Sequence, residues 1–208
     1  KKYIAKIIPA YQKYPEMGSK VDNPAYKNML TQSTGELVFS DNTDNNSLIA
    51  ASVQTWNNNW TYREYNTSQA RYEYVTAPAA EKVWRKFASY VYKVNPADDG
   101  TFSMASFNWT NPSASASNWE QTGKITRYDH YSRALESQDI NGNYAATRMG
   151  HDEKYAIAAA SNARYTELSY TGAETQDNGV FFTDGIKGVD KISTDYAHTG
   201  SRSVKAAP

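Results

Sequence analysis

Histidine is the side chain best suited to move protons near neutral pH, and this chain has three, His130, His151 and His198. A serine or zinc hydrolase would have to be built around them, yet none stands in a Gly-x-Ser-x-Gly or His-Glu-x-x-His context. His130 directly follows Asp129 and His151 directly precedes Asp152, both where turns are expected, so the pair reads as turn-packing side chains rather than metal ligands. Asp41 and Asp44 sit in a polar stretch, 40–47, but lack the glycine and distal glutamate of a calcium loop; a solvated turn is the simpler reading. The remaining carboxylates are scattered through turns, with no pair whose surroundings would separate two pKa values as acid–base catalysis requires. Cysteine is absent, which removes disulfides, thiolate zinc sites and a thiol nucleophile together. No catalytic residue, cofactor or metal is expected, and the chain is not read as an enzyme.

Aromatic faces offer a second chemistry. Trp56, Trp60, Tyr62, Tyr65, Tyr72, Tyr74, Trp84, Phe87, Tyr90 and Tyr92 crowd one stretch, and such faces stack on sugars and on bases. The competing reading is structural: Trp60/Tyr62 and Tyr72/Tyr74, each at spacing two, form cross-strand pairs, and Trp84 starts the next strand. Lys82, Arg85 and Lys86 form a small basic cluster, read as a strand edge guarded by charge. With Lys+Arg and Asp+Glu both at 22 the formal net charge is zero, so no field attracts nucleic acid, and none is expected as a partner.

The elements that would position these residues are strands. In 208 residues, 39% are hydrophobic and 17 are tyrosine, so the core must be built largely from aromatics that suit half-buried pleated surfaces. The mean hydropathy of −0.76 leaves little else to bury. Residues 1–19 read as an extended lead-in, with Pro9 and Pro15 opposing a helix and little to anchor it; Lys1–Ala10 has too short an apolar core for a signal peptide. No run is long enough for a membrane-spanning helix. Met29–Phe39 looks like a hairpin turning at Thr34–Gly35, and Leu48–Trp56 alternates as a strand. Asn95–Gly100 and the low-complexity Asn111–Asn118 punctuate the chain, the second as a mobile loop, and place a boundary near residue 120. The expected organisation is a lead-in (1–19), an aromatic-rich β region (20–120), tandem hairpins (121–175), and a linker with a further β segment (176–208).

Beyond residue 123 the pattern sharpens. Asp129 can accept bonds from backbone amides two or three residues on and so close a tight turn, while Ile125, Arg127 and Asp129 share one strand face and Thr126 and Tyr128 the other. Asn141-Gly142 is the strongest hairpin signal in the chain. A looser copy follows over 146–157, at offsets of 23 residues (Asp129 to Asp152) and 21 residues (Thr126 to Thr147). A period of about twenty signals stacked hairpins. Tyr165–Gly172 is expected to end the array as one more strand.

The stretch from Gly123 to Tyr144 resembles the YD-repeat motif of RHS proteins. In that motif a strand ends in Tyr-Asp and turns, usually through Gly-Arg, into a strand beginning at Leu. Tyr128, Asp129, Arg133 and Leu135 match it, and Ser132 stands where glycine is usual, although serine is costlier than glycine at positive φ. Residues 142–147, 158–167 and 170–174, with Asn28–Gln32 and Val53–Trp60 upstream, are similar to segments of very large RHS-type surface proteins of bacteria that use type IX secretion. The resemblance implies a mainly β fold of stacked antiparallel hairpins coiling into a shell-like sheet that encloses or presents a C-terminal toxin or cargo. It also implies residence outside the cell or on the outer-membrane surface, with the rest of the repeat array and the outer-membrane secretion machinery as partners. Val189–Val204 looks like the opening strands of a carbohydrate-binding-module-like β-sandwich; a whole sandwich takes about 100 residues, so the chain is expected to stop inside it. A structural segment is the leading expectation, and a surface adhesin that binds glycans through its aromatic residues is the alternative.

Overall fold

The computed structural model describes residues 2–41, 47–66, 68, 71–76, 82–93, 105–150, 154–168, 189–197, 200–201 and 203–206. The chain is mainly β, with twelve strands among the described residues: β1 (Lys2–Pro9), β2 (Ser33–Asp41), β3 (Ser47–Asn57), β4 (Thr61–Asn66), β5 (Arg71–Thr76), β6 (Arg85–Tyr92), β7 (Trp119–Tyr128), β8 (Ala134–Asp139), β9 (Tyr144–Gly150), β10 (Tyr155–Ser161), β11 (Val189–Ser193) and β12 (Ser203–Ala206). Eight of them form one open antiparallel sheet in the order β1-β2-β3-β6-β7-β8-β9-β10. β4 with β5, and β11 with β12, make separate two-stranded sheets. Helix among the described residues is limited to three short 3-10 turns, at 10–12, 15–17 and 112–115. None of it is long and apolar enough to cross a membrane.

By its contacts the chain divides into two compact units. The first comprises Lys1–Trp60 and Ala77–Ile125. Its core lies on the sheet face where Leu48, Ala51 and Val53 of β3 meet Ala88 and Tyr90 of β6, under Phe107 and Trp119. Phe107 packs tilted on Tyr90 at 5.0 Å and edge to face on Trp119 at 5.3 Å, contacts that add about 0.5–1.5 kcal/mol per pair beyond area burial. The Trp119 indole N–H donates to the Ala105 carbonyl at 3.1 Å, so the segment after β6 is fastened down by the ring it covers. Between β3 and β6 the register slips at residues 54–56. There the Thr55 hydroxyl both donates to Ala88 O and accepts from Ala88 N, each at 3.0 Å, and takes the place of a backbone pair.

Several expectations for this unit are corrected. Thr34–Gly35 is no turn: both lie inside β2, where the Thr34 hydroxyl donates to Gln54 O at 2.5 Å. A Cβ on Gly35 would meet Ile8 Cδ1 at 3.0 Å, so the glycine serves close approach of β1 rather than chain reversal. The lead-in is anchored, with Lys2–Pro9 paired along β2 and Ala10 and Met17 fully buried beyond it. β6 is an interior strand and Arg85 is buried, so the basic cluster guards no sheet edge; the strand begins at Arg85, one residue past Trp84. Asn111–Asn118 is a defined turn, pinned by the buried Ser115 hydroxyl, which accepts from Asn108 N at 2.8 Å. β7 runs through residue 120 to Tyr128, and the two units divide within it, after Ile125, close to the boundary expected near residue 120.

The second unit comprises Thr61–Thr76 and Thr126–Pro208. β4 and β5 form a hairpin, but in a register that sets Tyr65 opposite Tyr72, Tyr62 opposite Val75 and Arg63 opposite Tyr74, so the expected Trp60/Tyr62 and Tyr72/Tyr74 pairs do not occur. The meander β8-β9-β10 continues the large sheet. Residues 163–168 follow as turns rather than the expected strand, because their donors are already used: Tyr165 N–H goes to Glu136 Oε2 at 2.6 Å and Glu167 N–H to Arg164 O at 2.9 Å. β11 and β12 pair antiparallel across Ile192 and Val204, a two-stranded arrangement at the place where the start of a sandwich is expected.

Candidate functional site

Two turns of the second unit use the same bonds. At the first, Asp129 N–H donates to Arg133 O (3.0 Å), Ser132 N–H to Asp129 O (3.2 Å) and Arg133 N–H to Asp129 Oδ1 (2.8 Å). Ten positions on, Asp139 N–H donates to Asn143 O (3.0 Å), Gly142 N–H to Asp139 O (3.1 Å) and Asn143 N–H to Asp139 Oδ1 (2.9 Å). In each the fourth residue is left-handed, Ser132 at φ 68° and Gly142 at φ 86°. In both turns the carboxylate closes on the amide four residues on, and at Asp139 it also takes the amide two residues on; for Asp129 the sequence suggests two or three. Ser132 adopts the left-handed backbone that Gly142 takes in the second turn, at the cost that a Cβ brings there.

The surroundings separate the two turns. Asp139 is exposed, and its pKa lies below the ordinary 3.8 because the backbone N–H of Asn143, followed by those of Asn141 and Gly142 and the Asn143 side chain, hold the charged form. Asp129 has a fully buried side chain whose Oδ2 takes the Arg133 Nε at 2.6 Å. Arg133 spans further, lying 5.2 Å over the Tyr131 ring and donating from Nη1 to Lys154 O at 3.2 Å. It thus ties the first turn to the chain entering β10, one full up-and-down repeat later. Tyr128 and Leu135 are buried on either side of this turn, Leu135 in a small cluster with Ala146 and Tyr165. Asn141 donates its backbone N–H to Asp139 Oδ1 at 2.8 Å. Asp152, His151 and His198 lie outside the described residues, as do Asp44 and Asn95–Gly100.

A second polar assembly gathers around Tyr165. The guanidinium groups of Arg148 and Arg127 sit over the Tyr165 ring at 3.9 and 4.9 Å, and Arg148 Nε donates to Leu168 O at 2.7 Å. Glu136 takes the Thr126 hydroxyl on one oxygen (2.5 Å) and Tyr165 N–H on the other (2.6 Å). Its effect is to staple residues 163–168 across β7, β8 and β9. The signal in the sequence was the recurrence of Arg127, Glu136 and Arg148 on strands that were read only for their turns.

His130 is exposed and stacks on Tyr62 with ring centres 4.5 Å apart. Among the described residues no group of three or more His, Asp or Glu side chains is placed to hold a metal ion. In the first unit a hollow of about 620 Å³ opens beside Tyr14 and Trp84, two rings 5.3 Å apart. The aromatics of 56–92 therefore divide, with Trp56, Trp60, Tyr62 and Tyr90 buried and Trp84 at the wall of that hollow. Comparison with protein-family models, with curated proteins and with solved structures found no match, so function is argued from these residues alone.

Proposed function

We propose that this chain is a structural segment of a hairpin-repeat shell of the RHS type, secreted or displayed at a bacterial surface. One observation supports it above the others: the same three backbone and side-chain bonds close the turns at 129–133 and 139–143, with Tyr128, Asp129, Arg133 and Leu135 at the motif positions. A unit copied at the level of individual hydrogen bonds is a building element, since each hairpin needs neighbours to bury its faces. In this reading Arg133 is the rivet between successive repeats. The sheet grows at β10, whose Ala156 and Ala158–Ala160 are small and uncharged and which, among the described residues, pairs within the sheet on one side only. β1, by contrast, carries Lys2, Lys6 and Pro9, the residues that discourage strand addition at an edge. Enclosure or presentation of a C-terminal toxin or cargo, and export through outer-membrane machinery, belong to the same proposal.

The test is amide exchange on this 208-residue chain and on the full-length parent. The outward-facing amides of β10 should exchange freely in the first and become protected at least a hundredfold in the second. Equal exchange in both would count against growth of the sheet at that edge.

A further inference from the structure

We propose that the hollow beside Tyr14 and Trp84 is a binding site for a carboxylated sugar. This goes beyond the shell reading and stands without it. Its volume of about 620 Å³ falls within the roughly 300–1,000 Å³ of small-molecule sites. Its walls combine two chemistries. Tyr14, Tyr26 and Trp84 supply aromatic faces, and among the described residues Lys13, Lys27 and Lys82 line the hollow with one carboxylate, Glu16, while Lys27 Nζ also donates to Pro24 O at 2.9 Å and Lys13 Nζ lies 5.6 Å over the Trp109 ring. On a chain of zero net charge this is a local excess of cations, so it selects an anion at this spot without attracting anions in general.

Three details narrow the class. The Trp84 indole N–H is buried at the hollow's wall and has no acceptor among the described residues, a donor left for a ligand oxygen. Tyr14 cannot swing away, since its hydroxyl accepts the Trp56 backbone N–H at 3.2 Å and burial pushes its pKa up, keeping it a neutral phenol. Glu16 Oε2 holds the Asn58 amide at 3.3 Å, which sets an acceptor and a donor side by side, as vicinal sugar hydroxyls require. A nucleotide fits less well. The Tyr14 and Trp84 planes are tilted by 54°, which leaves no parallel slot for a flat base. A pyranose presents a puckered C–H face to one ring and its equatorial edge to the other, and its carboxylate reaches the lysines.

The test is calorimetric titration of the whole chain with tetramers of galacturonate, guluronate and α2,8-linked sialate, each beside its methyl-esterified form, and with ATP. At least one acid tetramer should bind and quench tryptophan fluorescence, with affinity falling tenfold or more on esterification and falling further as salt is raised. Lys82→Gln should weaken binding about tenfold, and Trp84→Phe, which keeps the ring and removes the donor, about fivefold, both with the melting temperature of the parent. Overturning results are no binding to any acid tetramer at millimolar concentration, equal affinity for the esterified form, tighter binding of ATP, or undiminished affinity in both variants.

Discussion

The two units bury different things. In the first, the core cluster around β3 and β6 is Leu48, Ala51, Val53, Ala88, Tyr90, Phe107 and Trp119, closed by rings, with Thr55 and Arg85 of the same strands buried beside it. In the second, Leu135, Ala146 and Tyr165 share the interior with Asp129 and Arg148, each only 2% exposed. One face is held by area removed from water, which has no direction; the other by charged groups whose value depends on a partner in place. The register slips in each, at 54–56 between β3 and β6 and at 156–158 between β9 and β10, so strand pairing alone does not separate them. The polar face fixes the turns bond by bond.

The largest effect should come from the first unit. Trp119→Ala removes a ring that packs on Tyr92 and Phe107 and releases Ala105 O, and should cost about 3–5 kcal/mol in urea unfolding. A loss under about 1 kcal/mol would show that Phe107 and Trp109 alone close that face. Next comes Asp129→Ala, which strips Arg133 of two bonds to a charged acceptor and should cost about 2–3 kcal/mol. Asp129→Asn, which keeps an oxygen for the Arg133 amide, should fall between it and the parent. If Asn and Ala cost the same, charge rather than turn closure dominates, and the contrast between the units sharpens.

The two turns allow a smaller comparison within the second unit. Gly142→Ser places a Cβ at φ 86° and should cost about 1 kcal/mol. Ser132→Gly relieves the same conformation at φ 68° and, after the extra chain entropy of glycine, should gain about 0.5 kcal/mol in thermal or urea unfolding. Opposite signs at equivalent positions are expected. Two losses would mean that the Ser132 side chain contributes to the first turn more than its backbone conformation costs.

What could be read in the sequence follows the range of the interactions. The mainly β character and the strand at Leu48–Trp56 were legible because alternation and turn residues act locally. So were the turns at 129–133 and 139–143, whose closing bonds span four residues. Thr34–Gly35 was misread because the reason for that glycine, Ile8 on β1, lies twenty-seven positions away and carries no local mark. The lead-in was undervalued for the same reason: nothing within Lys2–Pro9 states that β2 will pair with it. The Tyr14–Trp84 hollow needed seventy residues of chain to be folded back, and no spacing rule reaches that far.

The smallest effect is the acid response of the exposed turn. Asp139 has a folded-state pKa below the ordinary 3.8, held there first by the Asn143 backbone amide, with desolvation opposing. Above 3.8 the carboxylate is charged in the folded and unfolded chain alike, and its bonds to Asn141 and Asn143 contribute fully. As pH falls below that value the unfolded chain takes up the proton first, so the contribution declines through the interval between 3.8 and the depressed folded value and is gone beneath it. Because the group is solvated the change should be local, a shift of the Asn141 and Asn143 amide resonances and faster exchange at those two sites, with a midpoint below 3.8. Asp139→Asn should remove the titration and leave the rest of the spectrum unchanged. A midpoint at or above 3.8, or a cooperative loss of the β8–β9 ladder at that pH, would mean that the exposed turn carries as much as the buried one, and the contrast between Asp129 and Asp139 would fall.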